Sequence, residues 1–171
     1  MKNTIGIDIG LSGALSLVNK EFIEYFPMPT IDVKVGKKIR KQYDIHIIAE
    51  IISNWLSVNK IDAIVFERLR GIPNQASQTA FSMGGGSMLF KTISTLYNTL
   101  YQEIEPRTWQ KKIFGDLGIQ YDKKTTKKAS IQAAKRLFPT YNFLATERSR
   151  VPSDGITDAL LIGYYYNNLN N

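Results

Sequence analysis

The sequence contains no cysteine and a single histidine, His46. The first absence excludes disulfides, thiolate metal sites and a cysteine nucleophile. The second excludes a histidine-rich zinc centre. A metal bound here must be held by oxygen, which favours Mg²⁺ or Mn²⁺ over zinc. No run of about 18 apolar residues occurs, and no membrane span is expected. The first residues lead straight into a strand-like segment and not into a signal-peptide core, so the chain reads as soluble and intracellular. Internal repeats, low-complexity tracts and clear composition breaks are also missing. The 171 residues are therefore expected to form a single domain, 1–171, that buries about two-thirds of its unfolded surface.

What the chain has instead is positive charge. Its formal net charge is +7, a balance that suggests a polyanionic partner such as nucleic acid. Two stretches concentrate it. Residues 27–41 carry Lys34, Lys37, Lys38, Arg40 and Lys41. Residues 111–136 carry Lys111, Lys112, Lys123, Lys124, Lys127, Lys128, Lys135 and Arg136 against Asp116 and Asp122.

Residues 4–8 alternate as a strand does, with Ile5, Ile7 and Ile9 on one face and Gly6, Asp8 and Gly10 on the other. A turn at 11–13 leads to a second strand at 14–18. After Asn19 and Lys20 a third strand at 21–26 completes an antiparallel meander. Residues 27–41 read as irregular, either a solvated loop or a loop over nucleic acid. Asp44 caps a helix over 45–58, with Ile47, Ile48, Ile51, Ile52 and Trp55 on one side. Residues 61–66 form an apolar, fully buried strand that terminates in Glu67.

A loop over 68–74 follows, and helical spacing resumes at Gln75. Gly84, Gly85 and Gly86 should interrupt that helix before a second run over 87–99. The start of the second run could offer its amides to a phosphate, although a glycine triplet more often serves close packing or flexibility. A fifth strand spans 100–105, and Pro106 opens a short helix bearing Trp109, which is expected to pack and not to stack on a base. A basic helix over 124–137 and a loop over 139–152 precede the last helix. Antiparallel strands followed by strands alternating with helices predict an α/β domain with a mixed sheet.

The last helix opens with Asp154 and Asp158, four residues apart and hence on one helix face. That face continues through Leu161, Ile162 and Tyr165, so the acids point where the core points. Two like charges there are costly unless a cation or a proton offsets them. The helix dipole, with Ser153 or Asp154 as N-cap, accounts for Asp154 but poorly for Asp158. Asp8 and Glu67 stand at strand ends, where ligand sites in α/β sheets gather. If the last helix packs across that edge, four carboxylates meet and can hold two divalent cations about 3.5–4 Å apart, a spacing suited to in-line displacement at phosphate.

Gly6-Ile7-Asp8-Ile9-Gly10-Leu11-Ser12-Gly13, then Val65-Phe66-Glu67, then Asp154-Gly155-Ile156-Thr157-Asp158-Ala159-Leu160-Leu161-Ile162 resemble the RuvC-type Holliday junction resolvases of the ribonuclease H-like superfamily. The likeness is greatest to phage-type and organellar members, which also show a Pro-x-x-Trp segment, here Pro106-x-x-Trp109, before a basic stretch. The resemblance spans nearly the whole chain. It implies a ribonuclease H-like mixed five-stranded sheet, three antiparallel strands followed by parallel strands, flanked by helices. It further implies a homodimer that nicks two opposed strands of a four-way DNA junction with two Mg²⁺ or Mn²⁺ ions per active site. Carried over by motif, Asp8, Glu67, Asp154 and Asp158 are the catalytic, metal-binding acids. Many bacterial members space the last pair three apart, not four, which keeps both acids on one face. Lys123 or Lys124 matches a lysine that some viral relatives place near those acids.

Arg68 and Arg70 follow Glu67 directly and are either phosphate clamps or plain surface arginines. Lys127 and Lys128 join Lys123 and Lys124 as candidate DNA contacts on the basic helix. His46 matches no motif. Three rival readings use other features. Asp8-Ile9-Gly10-Leu11-Ser12-Gly13 also fits the phosphate loop of actin-like and sugar-kinase folds, but those need two such domains around ATP and no second loop follows. A non-catalytic DNA-binding module leaves the four acids unexplained. A nuclease of the same chemistry acting on forks, flaps or RNA–DNA hybrids is compatible with every residue named.

Overall fold

The first strand, β1 (Thr4–Asp8), is the middle of the molecule. A computed structural model describes residues 2–70 and 76–169. In it β1 pairs antiparallel with β2 (Ala14–Val18), which pairs antiparallel with β3 (Ile23–Pro27). On its other edge β1 pairs in parallel with β6 (Ala63–Glu67), and β6 in parallel with β7 (Tyr101–Ile104). The sheet order is β3-β2-β1-β6-β7, the expected five strands with three antiparallel and the rest parallel. The chain leaves β1 to one side and returns on the other, so the carboxyl ends of β1 and β6 flank the point where the winding changes direction.

The alternation in β1 sorts the two faces. Ile5, Ile7 and Ile9 bury with Leu15, Leu17, Ile64 and Phe66 beneath α1 (Ile45–Val58) and α2 (Ser77–Leu96). The opposite face, with Val65 and Ala63, packs under α5 (Asp154–Asn167), supported by α3 (Pro106–Asp116) and α4 (Thr126–Leu137). The aspartate of β1 thus lies on the α5 side. The far end of α5 is tied down as well: Thr4 Oγ1 donates to Asn167 Oδ1, and Asn167 Nδ2 donates to Val18 O at 3.1 Å, all of it buried. No described helix is long and apolar enough to cross a membrane.

Several expected boundaries move, each for a local reason. The third strand begins at Ile23 and not at residue 21, because Asn19 Oδ1 accepts from the amides of Glu21 and Phe22, both at 2.8 Å, and bends those residues into a turn. The helix expected from residue 124 begins at Thr126, since Asp122 Oδ1 accepts from the amides of Lys124 and Thr125. The α1 boundaries are as expected, with Asp44 Oδ1 accepting from Ile47 N at 3.2 Å. Residues 71–74 of the expected loop, and Gln75, lie outside the described residues.

Two expectations fail outright. Residues 27–41 are not irregular: β4 (Thr30–Val35) and β5 (Lys38–Tyr43) form a separate two-stranded antiparallel sheet. Their turn is Gly36-Lys37, with Gly36 at φ +62°, and a glycine at the first position of a two-residue hairpin loop reaches that conformation without strain. Nor do the three glycines break a helix, for α2 is continuous through them. Gly86 is needed for packing, because a Cβ there would lie 2.7 Å from Tyr43 Oη. No new helix starts at this point, so the amide–phosphate expectation for it falls.

Candidate functional site

Asp8 and Glu67 end neighbouring parallel strands, one step beyond the last registered pair, Ile7↔Phe66. Parallel strands lie about 4.8 Å apart, so the two acids stand side by side on the α5 face. Helix α5 reaches them because glycines remove what would block it. A Cβ at Gly6 would sit 2.2 Å from Ala159 O, and one at Gly155 would sit 2.5 Å from Ser12 O. The first turn of α5 therefore rests on the β1–β2 turn. Asp154 and Asp158 face a cleft of about 650 Å³ whose lining includes Asp8, Gly13, Lys41, Ser82 and Lys127. Glu67 does not line it. Its Oε1 accepts from Trp109 Nε1 at 2.8 Å, and Trp109 itself is fully buried.

The electrostatics are those of crowded acids in a sheltered place. Burial raises the Asp8 carboxyl well above its ordinary range, and the charges of Asp158, Glu67 and Asp154 push in the same direction. Burial also raises Glu67, against the opposing Trp109 hydrogen bond. Asp158 is raised to about 7, again mainly by burial and then by Glu67 and Asp154, while Ser130 and Lys127 work the other way. Among the described residues the one cation in direct contact is Lys127, whose Nζ lies 2.5 Å from Asp154 Oδ2. That pairing raises the lysine and keeps it charged. Ser130 on α4 stands close enough to Asp158 to lower its carboxyl, but Ser130 Oγ and Asp158 Oδ1, both buried, are not within good hydrogen-bonding geometry of each other or of any other described group.

A buried carboxylate oxygen with no partner is expensive. It is a feature that a cation relieves, and the donor set around it, oxygen only and acidic, suits a hard divalent ion. Among the described residues, no group of three or more acidic or imidazole side chains is arranged as it stands to hold a metal ion. The chemistry of the donors fits such an ion; their spacing as seen is more open than a closed coordination shell.

At the level of sequence, no family model and no curated protein matches the chain. Solved structures do match. The chain is similar to the structure of T. thermophilus RuvC in complex with Holliday junction substrate, with a TM-score of 0.60 and 12% identity over 98% of this chain and 93% of that one. It is similar to the yeast mitochondrial Holliday junction resolvase Ydc2, at 0.55 and 13% over 96% and 77%. A third similar structure is Fowlpox virus resolvase with its substrate Holliday junction DNA, at 0.52 and 14% over 98% and 99%. The chain shares its fold with these resolvase structures.

On this resolvase fold the remaining sequence-derived residues fall in two groups. Lys127 faces the acids, as described. Lys123 and Lys124 precede α4, exposed and outside the lining of the cleft, and Lys128 is exposed on the helix itself. Arg68 and Arg70 both turn to Glu105, at 3.3 and 2.8 Å, and remain more than half exposed. Three partners of the acids were not foreseen: the Trp109 hydrogen bond to Glu67, the Lys127 contact with Asp154, and Ser130 beside Asp158. Each joins residues more than 25 positions apart on different elements. No local spacing announces such contacts.

Proposed function

We propose that this chain is a metal-dependent, structure-specific DNA endonuclease that resolves four-way junctions by paired, symmetric nicks, acting as one nuclease domain in a homodimer. The observation that carries the reading is the meeting of Asp8, Glu67, Asp154 and Asp158 at one sheet edge, around a buried unpartnered carboxylate oxygen, in a basic chain of resolvase fold. Two divalent ions held by these four acids would supply an activated water and stabilise the leaving oxygen of a phosphodiester.

The chain's own groups prepare that chemistry. Trp109 Nε1 holds one oxygen of Glu67, fixing the carboxylate so that the other oxygen is free to ligate. Burial raises the Asp158 carboxyl to about 7, so a cation that took it as a ligand would displace a proton around neutral pH. Lys127, charged and 78% exposed, covers Asp154 from the solvent side. There it can exchange its acid for a DNA phosphate entering the cleft.

The homodimer rests on α2. Phe81, Met88 and Leu96 are 85, 62 and 77% exposed, and they follow helical spacing along one side with Gly84 and Gly85 opening onto free space between them. An apolar stripe of that kind on a basic protein suits the same stripe on a second copy.

The test is cleavage of labelled four-way junction, replication fork, RNA–DNA hybrid and linear duplex, side by side in Mg²⁺, Mn²⁺ and Ca²⁺. The expected result is symmetric nicking confined to the junction in Mg²⁺ or Mn²⁺. Preferential cleavage of forks, flaps or hybrids would move the substrate while keeping the nuclease. Turnover of ATP without any DNA cleavage would replace the reading with a kinase-like one.

A further inference from the structure

The β4–β5 hairpin stands outside the main sheet. An isolated two-stranded hairpin is marginal in water, and this one buries little: Ile39 is 75% exposed, and Ile31 and Val35 are exposed too. Among the described residues only its base is secured. Met28 and Tyr43 pack into the core under α1 and α2, and Asp44 N donates to Pro29 O at 3.0 Å. Among the described residues nothing packs on the remainder that would keep it as a ribbon.

Its charge supplies another reason. Lys34, Lys37, Lys38, Arg40 and Lys41 face a single acid, Asp32. All five cations are exposed, and among the described residues none is in an ion pair. The register sorts them by face. Val33↔Arg40 and Val35↔Lys38 put Arg40 and Lys38 on one side of the ribbon. Asp32↔Lys41 and Lys34↔Ile39 put Lys41 and Lys34 on the other, and Lys37 sits in the turn. A patch that lies flat on a nucleic acid gathers its cations on one face. Cations on both faces and at the tip suit a ribbon flanked by phosphates on both sides, and the major groove of DNA is wide enough to admit a two-stranded ribbon. Lys41 also lines the cleft that holds Asp8, Asp154 and Asp158, so the ribbon begins where the scissile phosphate would lie.

We infer that the β4–β5 hairpin is a DNA-binding arm that runs from the cleft in between two rows of phosphates, each face of the ribbon contacting one row. The inference rests on the nuclease reading for the placement of the DNA, but not for the arm's ability to bind it.

The experiment measures binding of a fluorescein-labelled four-way junction, and of a linear duplex with the same arm sequence, over a series of KCl concentrations in Ca²⁺. The variants are Lys34→Gln on one face, Lys38→Gln with Arg40→Gln on the other, and Lys37→Gln in the turn. Each phosphate contact contributes about 0.9 to the slope of log affinity against log salt. The single variants should therefore each lower the slope by about 1 and the double variant by about 2, with thermal melting unchanged. Melting and slope are separate readouts, so a variant that simply unfolds is recognised, and the other face still decides. Slopes that stay at the wild-type value on both faces overturn the arm, and a loss confined to one face overturns its insertion between two rows. The nuclease reading is scored separately, by cleavage in Mg²⁺. If the wild-type protein cuts nothing but the variants lose slope, the arm stands and the nuclease reading falls. If the wild-type protein cuts junctions and the slopes do not move, the reverse holds.

Discussion

Burial holds the Asp158 carboxyl near pKa 7, so a proton and a cation compete for the same oxygen around neutral pH. The sign follows from the direction of the shift. The folded state binds this proton more tightly than the unfolded chain does, so the contribution to stability is fully present below about pH 4 and is lost as pH rises to about 7. Without divalent ions the protein should therefore melt at progressively lower temperature between those values. Asp158→Asn should remove the Asp158 part of that dependence, leaving the parts due to Asp8 and Glu67, and gain up to about 4 kcal/mol at pH 8 relative to wild type. Calorimetry in EDTA checks it, and parallel pH profiles for the two proteins would count against the assignment. The Asp8 carboxyl, also raised, acts in the same direction.

Cleavage should follow the acids one by one. Asp8→Asn, Glu67→Gln and Asp158→Asn should each lower the rate at least about a hundredfold, the scale expected when a group stabilising transition-state charge is lost. Junction binding in Ca²⁺ should persist. Any of the three that cuts at the wild-type rate does not belong to the centre. Trp109→Phe keeps the ring in its buried slot but removes the hydrogen bond to Glu67. Loss of an outer partner of a metal ligand typically costs about 10–100-fold in metal affinity or activity. That variant should need more Mg²⁺ for half-maximal cleavage while its junction affinity is unchanged, and an unaltered Mg²⁺ requirement would show that Glu67 is positioned by other means.

At the scale of elements, the site depends on how closely α5 approaches β1. A methyl group at Gly6 would lie 2.2 Å from Ala159 O and 2.7 Å from Gly163 N, both backbone atoms that cannot swing aside. Gly6→Ala should therefore lift α5 from the sheet and destabilise the fold by roughly 3 kcal/mol. Cleavage should fall as well, because Asp154 and Asp158 move away from Asp8. Urea unfolding with an unchanged midpoint would contradict the close contact.

At the scale of the whole molecule, the exposed stripe of α2 is where a second copy would bind. Replacing Phe81 and Met88 together by glutamate places two charges in the middle of that stripe, and two more from the partner oppose them across a twofold axis. The variant should sediment as a monomer at micromolar concentration where the wild-type protein should sediment as a dimer. Paired nicking should collapse into isolated single nicks. Identical sedimentation of both proteins would remove α2 from the interface.

Much of this architecture could be read from the chain. The period-two run in β1, the Asp44 cap of α1, Pro106 at the start of α3 and the apolar stretch ending in Glu67 all declare themselves locally, because strand alternation, capping and helix initiation involve neighbours in sequence. The two aspartates of α5 signalled a charged site for the same reason, since four residues are one helical turn. The β4–β5 hairpin was missed although Ile31, Val33 and Val35 alternate, because the lysines around them read as solvent. The glycine triplet was expected to break a helix that in fact runs through it, while the close packing also anticipated for it is found at Gly86 against Tyr43. What the sequence by itself determined is which residues carry charge, which faces are apolar and where most elements begin. Only the tertiary structure decided that Trp109 holds Glu67, that Lys127 meets Asp154 and that Asp158 is left with a buried, unpartnered oxygen. Those depend on the approach of α3, α4 and α5 to two strand ends, and long-range packing of that kind leaves no periodic trace in the chain.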